Sequence, residues 1–215
     1  NGDIIKAKKL ILAAKKSGAD FVKFQNFKAE NLATKNAEMA KYQIRNTKKK
    51  EKQISMLKAL ELKRKFYPIL KKFAKKNKVN FLSSPFDEDN YMYLTNTLKC
   101  KLIKIPSGEI NNFVMLRHVK LNKEKLIIST GMSTIKEIAE TLNYISKKKI
   151  FKTFNNNVKI IDKKSHNFLK SRVLLMHCVT DYPVLDKFAN LSAIKNFIEK
   201  FNLHVGYSDH TQDIL

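Results

Sequence analysis

Lys104-Ile105-Pro106-Ser107-Gly108-Glu109 closes a short apolar run, residues 102–105, and decides the reading of the fold. The run has the length and residue types of a buried strand. It ends in a lysine, a serine, a flexible glycine and a carboxylate. A strand that stops this way brings a cation, a hydroxyl, free backbone N–H groups and an acid to one place. Those groups hold an anionic substrate and move a proton beside it. Five other strand-like runs end with similar chemistry. They are Lys23-Phe24-Gln25, Ser83-Ser84-Pro85-Phe86, Ser129-Thr130-Gly131-Met132, His177-Cys178-Val179-Thr180-Asp181-Tyr182, and Val205-Gly206-Tyr207 leading into Ser208-Asp209-His210-Thr211. Polar residues placed repeatedly at strand ends predict an enzyme whose catalytic mouth is built from successive βα loops.

Helical periodicity fills the spaces between these runs. Asp3 is placed to cap a helix with Ile4, Ala7, Ile11 and Ala14 on one face and Gly18 as its stop. A long polar stretch after residues 21–24 reaches about residue 52. A helix is expected over 62–76, with Phe66, Leu70 and Phe73 on one side. Further helices are expected over 88–98, 112–120, 134–146 and 191–201, alternating with strands over 79–82, 102–105, 126–129, 173–177 and 203–207. This alternation defines an α/β protein with a parallel sheet built from right-handed βαβ units. An open doubly wound sheet and a (β/α)₈ TIM-type barrel both satisfy it. No Gly-x-Gly-x-x-Gly follows the first strand, which removes the best signature of a dinucleotide fold. Polar residues at six successive strand ends favour the barrel, incomplete here because six strands are counted. Residues 147–170, lysine-rich and carrying Asn155-Asn156-Asn157, interrupt the pattern and read as a surface insertion in a single partial-barrel domain spanning 1–215.

Composition sets the outer bounds. With 215 residues, 43% of them hydrophobic, the chain has enough material for a real core. No apolar run approaches the ~18 residues of a membrane span, and residues 1–6 lack the apolar core and cleavage site of a signal peptide. Cys100 and Cys178 form neither a metal spacing nor a disulfide framework, so reduced thiols in the cytoplasm are expected. The net charge of +24 invites a nucleic-acid reading. Its distribution argues for solvated surface lysine instead: lysines lie on nearly every expected helix, and no RNP aromatics, zinc-finger spacing or Gly/Arg-rich tail accompany them. The one dense cluster, residues 45–52, reads as an exposed loop or loose helix.

Seven stretches together resemble the sialic acid synthase family, which comprises N-acetylneuraminate, legionaminate and pseudaminate synthases. They are the run Gly18-Ala19-Asp20-Phe21-Val22-Lys23-Phe24-Gln25, Ser83-Ser84-Pro85-Phe86, Lys104 to Glu109 with Asn111 and Asn112, Ser129-Thr130-Gly131-Met132, the run from His177 to Pro183, Asn190-Leu191, and Gly206-Tyr207-Ser208-Asp209-His210-Thr211. They stand in the family's order and span the chain apart from the insertion.

The resemblance implies a barrel enzyme that condenses phosphoenolpyruvate with N-acetylmannosamine or a related N-acetylated amino sugar. The products are a nine-carbon 2-keto sugar acid and phosphate, with a divalent metal, Mn²⁺, required. It further implies a homodimer with a small C-terminal antifreeze-like domain. Relative to the family pattern the chain begins inside an Asn-His-x-Gly motif, at Asn1-Gly2, and stops just after Ser-Asp-His-Thr. The first strand with its glutamate, the last strand, a second metal histidine, a sugar-binding aspartate and the antifreeze-like domain are therefore expected outside it. A fragment of a longer protein, or an incomplete gene product inactive alone, is the expectation.

By position in the family pattern, Lys23, Lys104, Ser107 and Ser129 hold phosphoenolpyruvate, whose phosphate and carboxylate need cations and fixed donors. Lys104 stands out on its own account, because a lysine within an apolar strand is rarely buried without a partner. Glu109 is implied to orient the sugar or transfer a proton, and a first-turn helix carboxylate would satisfy the same position. Gln25 is implied to hydrogen-bond the sugar, and Ser84 retains a hydroxyl found as threonine in many relatives. Phe86 fits wall packing and substrate stacking equally. Thr180 and Tyr182 fall where the family places a phosphoenolpyruvate-binding polar group and a sugar-contacting tyrosine. His210 matches a metal-binding histidine, whereas His177 reads equally as a core residue. In the implied mechanism, C3 of phosphoenolpyruvate attacks a metal-activated aldehyde, water adds at C2 and phosphate leaves. Two other readings stay open: a barrel aldolase using a Schiff-base lysine, trapped by borohydride and needing no metal, and a basic nucleic-acid-binding fragment with steeply salt-dependent binding.

Overall fold

Asp3 starts the first helix as its sequence context demands. In the computed structural model, which describes residues 2–212, α1 (Ile4–Lys16) opens with the Asp3 carboxylate accepting from the Ile5 and Lys6 amides at 2.7 and 3.2 Å. Those bonds hold its carboxyl below the usual range. Lys15 and Lys16 complement the other end of the helix dipole, and Ala7 and Ile11 are buried. The chain divides into two compact units, Asn1–Cys100 and Lys101–Leu215.

In the first unit, β1 (Phe21–Asn26) and β2 (Asn80–Pro85) form a parallel pair with Lys23 opposite Leu82 and Gln25 opposite Ser84. The polar stretch between them holds α2 (Ala29–Leu32), α3 (Lys41–Thr47) and α4 (Gln53–Leu60). Leu57 of α4 packs with Phe27 and Ala29 into a small cluster. The next helix, α5 (Phe66–Lys76), starts later than residue 62 for a steric reason. Pro68 has no N–H and clashes with the preceding turn, so it sits in the first turn of a helix and not in its interior. The buried face is Tyr67, Leu70 and Ala74, with Phe66 and Phe73 at its margins. The Tyr67 hydroxyl donates to the Gln25 carbonyl at 2.7 Å, and burial raises its pKa. After β2, α6 (Glu88–Met92) is capped by Asp87 and continues as a π turn over Tyr93–Thr97.

The second unit is built on β3 (Leu102–Ile105), β4 (Lys125–Ser129), β7 (Val173–His177) and β8 (His204–Tyr207), all parallel and in that spatial order. Alternation puts Ile103, Ile105, Leu126, Ile128, Val173 and Leu175 into the core. Each such side chain contributes about 1.5–3 kcal/mol on burial. The opposite face carries Lys104 in one row with Ile127 and Leu174. Between β3 and β4 lies α7 (Phe113–Leu116), shorter than the expected helix over 112–120.

The connection from β4 to β7 begins with α8 (Ile135–Ser146), whose Thr134 and Glu137 form a capping box. The Glu137 carboxylate accepts from the Thr134 amide at 2.7 Å, and the Thr134 hydroxyl accepts from the Glu137 amide at 3.2 Å. Thr134→Ala is expected to cost about 1 kcal/mol, read as a lower denaturant midpoint at unchanged slope. Residues 147–170 then form an antiparallel hairpin, β5 (Phe151–Phe154) and β6 (Asn157–Ile160), followed by α9 (Lys163–Lys170). Asn155 and Asn156 both take positive φ, as a two-residue hairpin turn requires and asparagine tolerates. Ile150, Phe151, His166 and Leu169 are buried, so this segment has its own place in the core. Asn143 of α8 pins it, accepting from the Ile150 and Phe151 amides at 2.8 Å each and donating to the Phe151 carbonyl at 2.9 Å. Helix α10 (Ser192–Phe201) leads into β8.

Among the described residues the strands thus form a parallel pair, a four-stranded parallel sheet and a hairpin. The six parallel strands expected from the sequence are all present. A closed eight-stranded ring is not among these pairings.

Candidate functional site

The parallel register of the second unit brings the loops after β3, β4 and β7 to one end of the sheet, and Gly131 shows how closely they meet. Its φ of +47° is left-handed, and a Cβ there would lie 2.5 Å from Ser107 Cβ, 2.8 Å from Ser107 Oγ and 3.1 Å from Thr180 Oγ1. Two hydroxyls from the loops after different strands therefore converge on a backbone position that carries no side chain. Thr130 fixes the loop from behind, its amide and hydroxyl both donating to the Met176 carbonyl at 3.0 and 3.2 Å.

Ser129, at the end of β4, is buried and its hydroxyl has no hydrogen-bond partner. A buried hydroxyl left unbonded costs about 1–3 kcal/mol, so such a group marks either local strain or a place where a ligand atom bonds. Lys104 sits half-buried on the same face as Ile127 and Leu174, without a hydrogen bond or ion pair among the described residues. Burial pulls its ammonium pKa below the ordinary lysine value, slightly offset by the nearby Cys178 thiol. A desolvated cation and an unbonded hydroxyl thus lie on adjacent strands, the chemistry that an anion requires of its site.

Glu109 closes the 3₁₀ turn Ser107–Glu109, its amide donating to the Pro106 carbonyl at 3.0 Å. Its carboxylate accepts from Asn112 Nδ2 at 2.7 Å. Beyond β7 and β8, the Tyr182 and His210 rings lie against each other, tilted by 30° with centroids 4.1 Å apart. His210 Nδ1 lies 2.5 Å from the Val179 carbonyl, which can only accept, so Nδ1 carries a proton and in the neutral ring Nε2, 3.2 Å from Ser208 Oγ, carries the lone pair. That is the tautomer a metal-ligating histidine needs. Among the described residues, however, no group of three or more His, Cys, Asp or Glu is gathered to hold a metal ion. His177 is a core histidine: buried, 2.8 Å from the Ala189 carbonyl, and stacked on Tyr207.

In the first unit, Lys23 and Gln25 share one exposed face of β1, and the register sets Gln25 beside Ser84. Ser84 is buried with an unbonded hydroxyl, while its neighbour Ser83 donates to the Phe24 carbonyl at 2.9 Å. Phe86 meets Phe27 edge-to-face with centroids 6.0 Å apart, against the cluster of Ala29 and Leu57. That contact packs part of the Phe86 ring against the cluster. A groove of about 580 Å³ runs beside β1, lined among others by Lys6, Leu10, Lys23 and Gln25.

Three residues at these strand ends escaped the sequence reading. Gly131 was visible only as a strand-terminal glycine, and its role depends on two loops distant in sequence. Asn112 carried a signal, since an asparagine three residues after Glu109 and just before an apolar run is a helix-cap pattern. Asn26, buried with an unbonded Nδ2, had none.

A parallel sheet with a half-buried lysine, an unbonded hydroxyl, a carboxylate and an aromatic–imidazole pair towards its C-terminal edge has the make-up of an α/β enzyme site. Residues 10–215 match the NeuB family, and the chain belongs to that family. It is 44% identical over 215 residues to an N,N'-diacetyllegionaminic acid synthase of Campylobacter jejuni and 40% identical to one of Legionella pneumophila. Both matches take in 100% of this chain, but it spans 58% and 56% of those relatives. Among solved structures it superposes on an N-acetylneuraminic acid synthetase of Leptospira borgpetersenii, in complex with citrate, with a TM-score of 0.76 at 26% identity. That match covers 99% of this chain and 62% of the other. No helix among the described residues is long and apolar enough to cross a membrane.

Proposed function

We propose that the protein is a sugar-acid synthase that condenses phosphoenolpyruvate with an N-acetylated amino sugar. The observation that carries this reading is the cradle in which Ser107 and Thr180 flank Gly131, with the unbonded Ser129 hydroxyl and the desolvated Lys104 ammonium on neighbouring strands. Phosphoenolpyruvate is small and polyanionic, and such a cradle gives its carboxylate and phosphate a cation and fixed donors in a site depleted of water.

In this reading C3 of phosphoenolpyruvate forms the new C–C bond to the sugar's aldehyde carbon, whose oxygen takes up a proton. Water adds at C2, and the bridging C–O bond breaks to release phosphate and leave the C2 ketone. Lys104 neutralises the anion, Ser107, Ser129 and Thr180 donate hydrogen bonds to it, and Glu109 orients the sugar or carries the proton. Tyr182 contacts the sugar. For the β1–β2 pair the proposed roles are a second cation from Lys23, a sugar hydrogen bond from Gln25, a hydroxyl from Ser84 and wall packing from Phe86. His210 would supply one ligand, through Nε2, to a divalent ion, Mn²⁺ in this reading. That ion, when bound, would supply Lewis-acid polarisation of the aldehyde oxygen. The described residues gather no group of three or more such ligands, so no step here is routed through the metal.

The relatives at 44% and 40% identity are named for N,N'-diacetyllegionaminic acid, so a diacetamido sugar is the favoured acceptor over N-acetylmannosamine. The whole protein is proposed to be a cytoplasmic homodimer with a (β/α)₈ barrel. The test is phosphate release from phosphoenolpyruvate, with Mn²⁺ and each sugar in turn, by the full-length protein. Release that needs one of the sugars supports the synthase; release with neither removes it.

A second reading has one observation in its favour. A lysine with a depressed pKa, as Lys104 has, is also what a Schiff-base aldolase uses. Borohydride treatment with pyruvate separates the two: the aldolase is trapped at Lys104, and the synthase keeps its activity.

A further inference from the structure

Asn112 is not among the residues given a role above, yet its side chain makes two hydrogen bonds that constrain each other. Oδ1 accepts from the Met115 amide at 3.1 Å and so caps α7, while Nδ2 donates to Glu109 Oε2 at 2.7 Å. The cap needs an acceptor, so it fixes which way the amide faces and turns the NH₂ group towards Glu109. The backbone closes the same turn, with the Asn112 amide donating to the Glu109 carbonyl at 3.1 Å. A glutamate side chain has three torsions to settle, and a charge-assisted bond from a rigid donor narrows the choice among them.

We propose that Asn112 is a positioning residue that holds the Glu109 carboxylate in its working orientation for the condensation. The inference rests on the synthase reading and on the role given there to Glu109.

Two substitutions separate positioning from capping, because each keeps an acceptor for the Met115 amide. Asn112→Ser still caps α7 but is too short to reach Glu109. Asn112→Asp also caps, and sets a second carboxylate against the first. In the full-length enzyme, Asn112→Ser is expected to lower kcat on the order of 10–100-fold, the effect of a displaced catalytic group. KM for phosphoenolpyruvate and the melting temperature should stay near wild type. Asn112→Asp is expected to move the acidic limb of the kcat–pH profile upward by roughly one unit, since a like charge raises the Glu109 pKa. Wild-type kcat and an unshifted profile in both variants would overturn the proposal, as would a loss of activity that follows only the unfolded fraction. A wild-type enzyme that releases no phosphate with either sugar removes the synthase reading and this inference with it. That outcome differs visibly from an active wild type matched by its variants.

Discussion

Gly131→Ala is expected to reduce phosphate release roughly 100-fold or more, the scale set by misplacing a reacting group by about 1 Å. The backbone at Gly131 has φ +47°, which for an L-residue costs about 1–2 kcal/mol. Sterics add to this, because the new methyl would lie 2.5 Å from Ser107 Cβ and 2.8 Å from its hydroxyl. Real Cβ atoms essentially never show contacts under 3.0 Å, so the loops after β3 and β4 must separate. Moving Ser107 also displaces the start of the turn that carries Glu109. Gly18→Ala is the matched control. Gly18 has φ +78° but nothing within 4 Å of its added Cβ, so it should lose about 1–2 kcal/mol of stability and no turnover. Full activity in Gly131→Ala, measured alongside its melting temperature, would mean that the cradle is not where phosphoenolpyruvate reacts.

Lys104→Met is expected to move stability and activity in opposite directions. The folded-state pKa of Lys104 lies below its unfolded value because burial disfavours the ammonium. The favourable, uncharged situation therefore prevails above the unfolded lysine pKa. Stability is lost as pH falls through the lowered folded pKa, because the buried ammonium costs more below that pKa than the neutral amine does above it. Methionine fills similar volume without that charge, so the variant should melt about 2–4 °C higher at pH 7, with the gain shrinking towards pH 10. Phosphoenolpyruvate binding should weaken by at least about tenfold, since the anion loses its desolvated cation. Adding phosphoenolpyruvate should raise the melting temperature of the wild type and leave Lys104→Met nearly unmoved. A variant that melts lower than wild type and binds the anion equally well would contradict the assignment.

Strand ends were legible in the sequence because apolar runs giving way to Lys, Ser, Gly and Glu state both the period and the chemistry at once. All six parallel strands and the Asp3 and Thr134 helix starts follow from that local grammar. Local grammar failed where one residue outranked the pattern. Pro68 set the start of α5, and α4, just after a lysine-rich stretch, was missed because two short turns give little periodicity. The β5–β6 hairpin announced itself only through Asn155-Asn156, whose left-handed geometry is less distinctive in sequence than Asn-Gly. Candidate residues at single strand ends could be picked out for the same local reason, as with Lys104, Ser129 and Glu109. The pairings among them were not: Gly131 against Ser107 and Thr180, or Tyr182 against His210, depend on which strands lie side by side. Strand adjacency is a long-range property, and the described strands form two parallel sheets and a hairpin.

The most direct test of the central claim uses phosphoenolpyruvate labelled with ¹⁸O at the bridging C2–O–P position, incubated with the full-length protein, Mn²⁺ and the diacetamido sugar. Attack by C3 followed by water addition at C2 breaks the C–O bond, so the label is predicted to appear in inorganic phosphate, with an unlabelled ketone in the nine-carbon product. Label retained in the keto acid, with unlabelled phosphate, would place the cleavage at the P–O bond and contradict the condensation proposed for these strand ends.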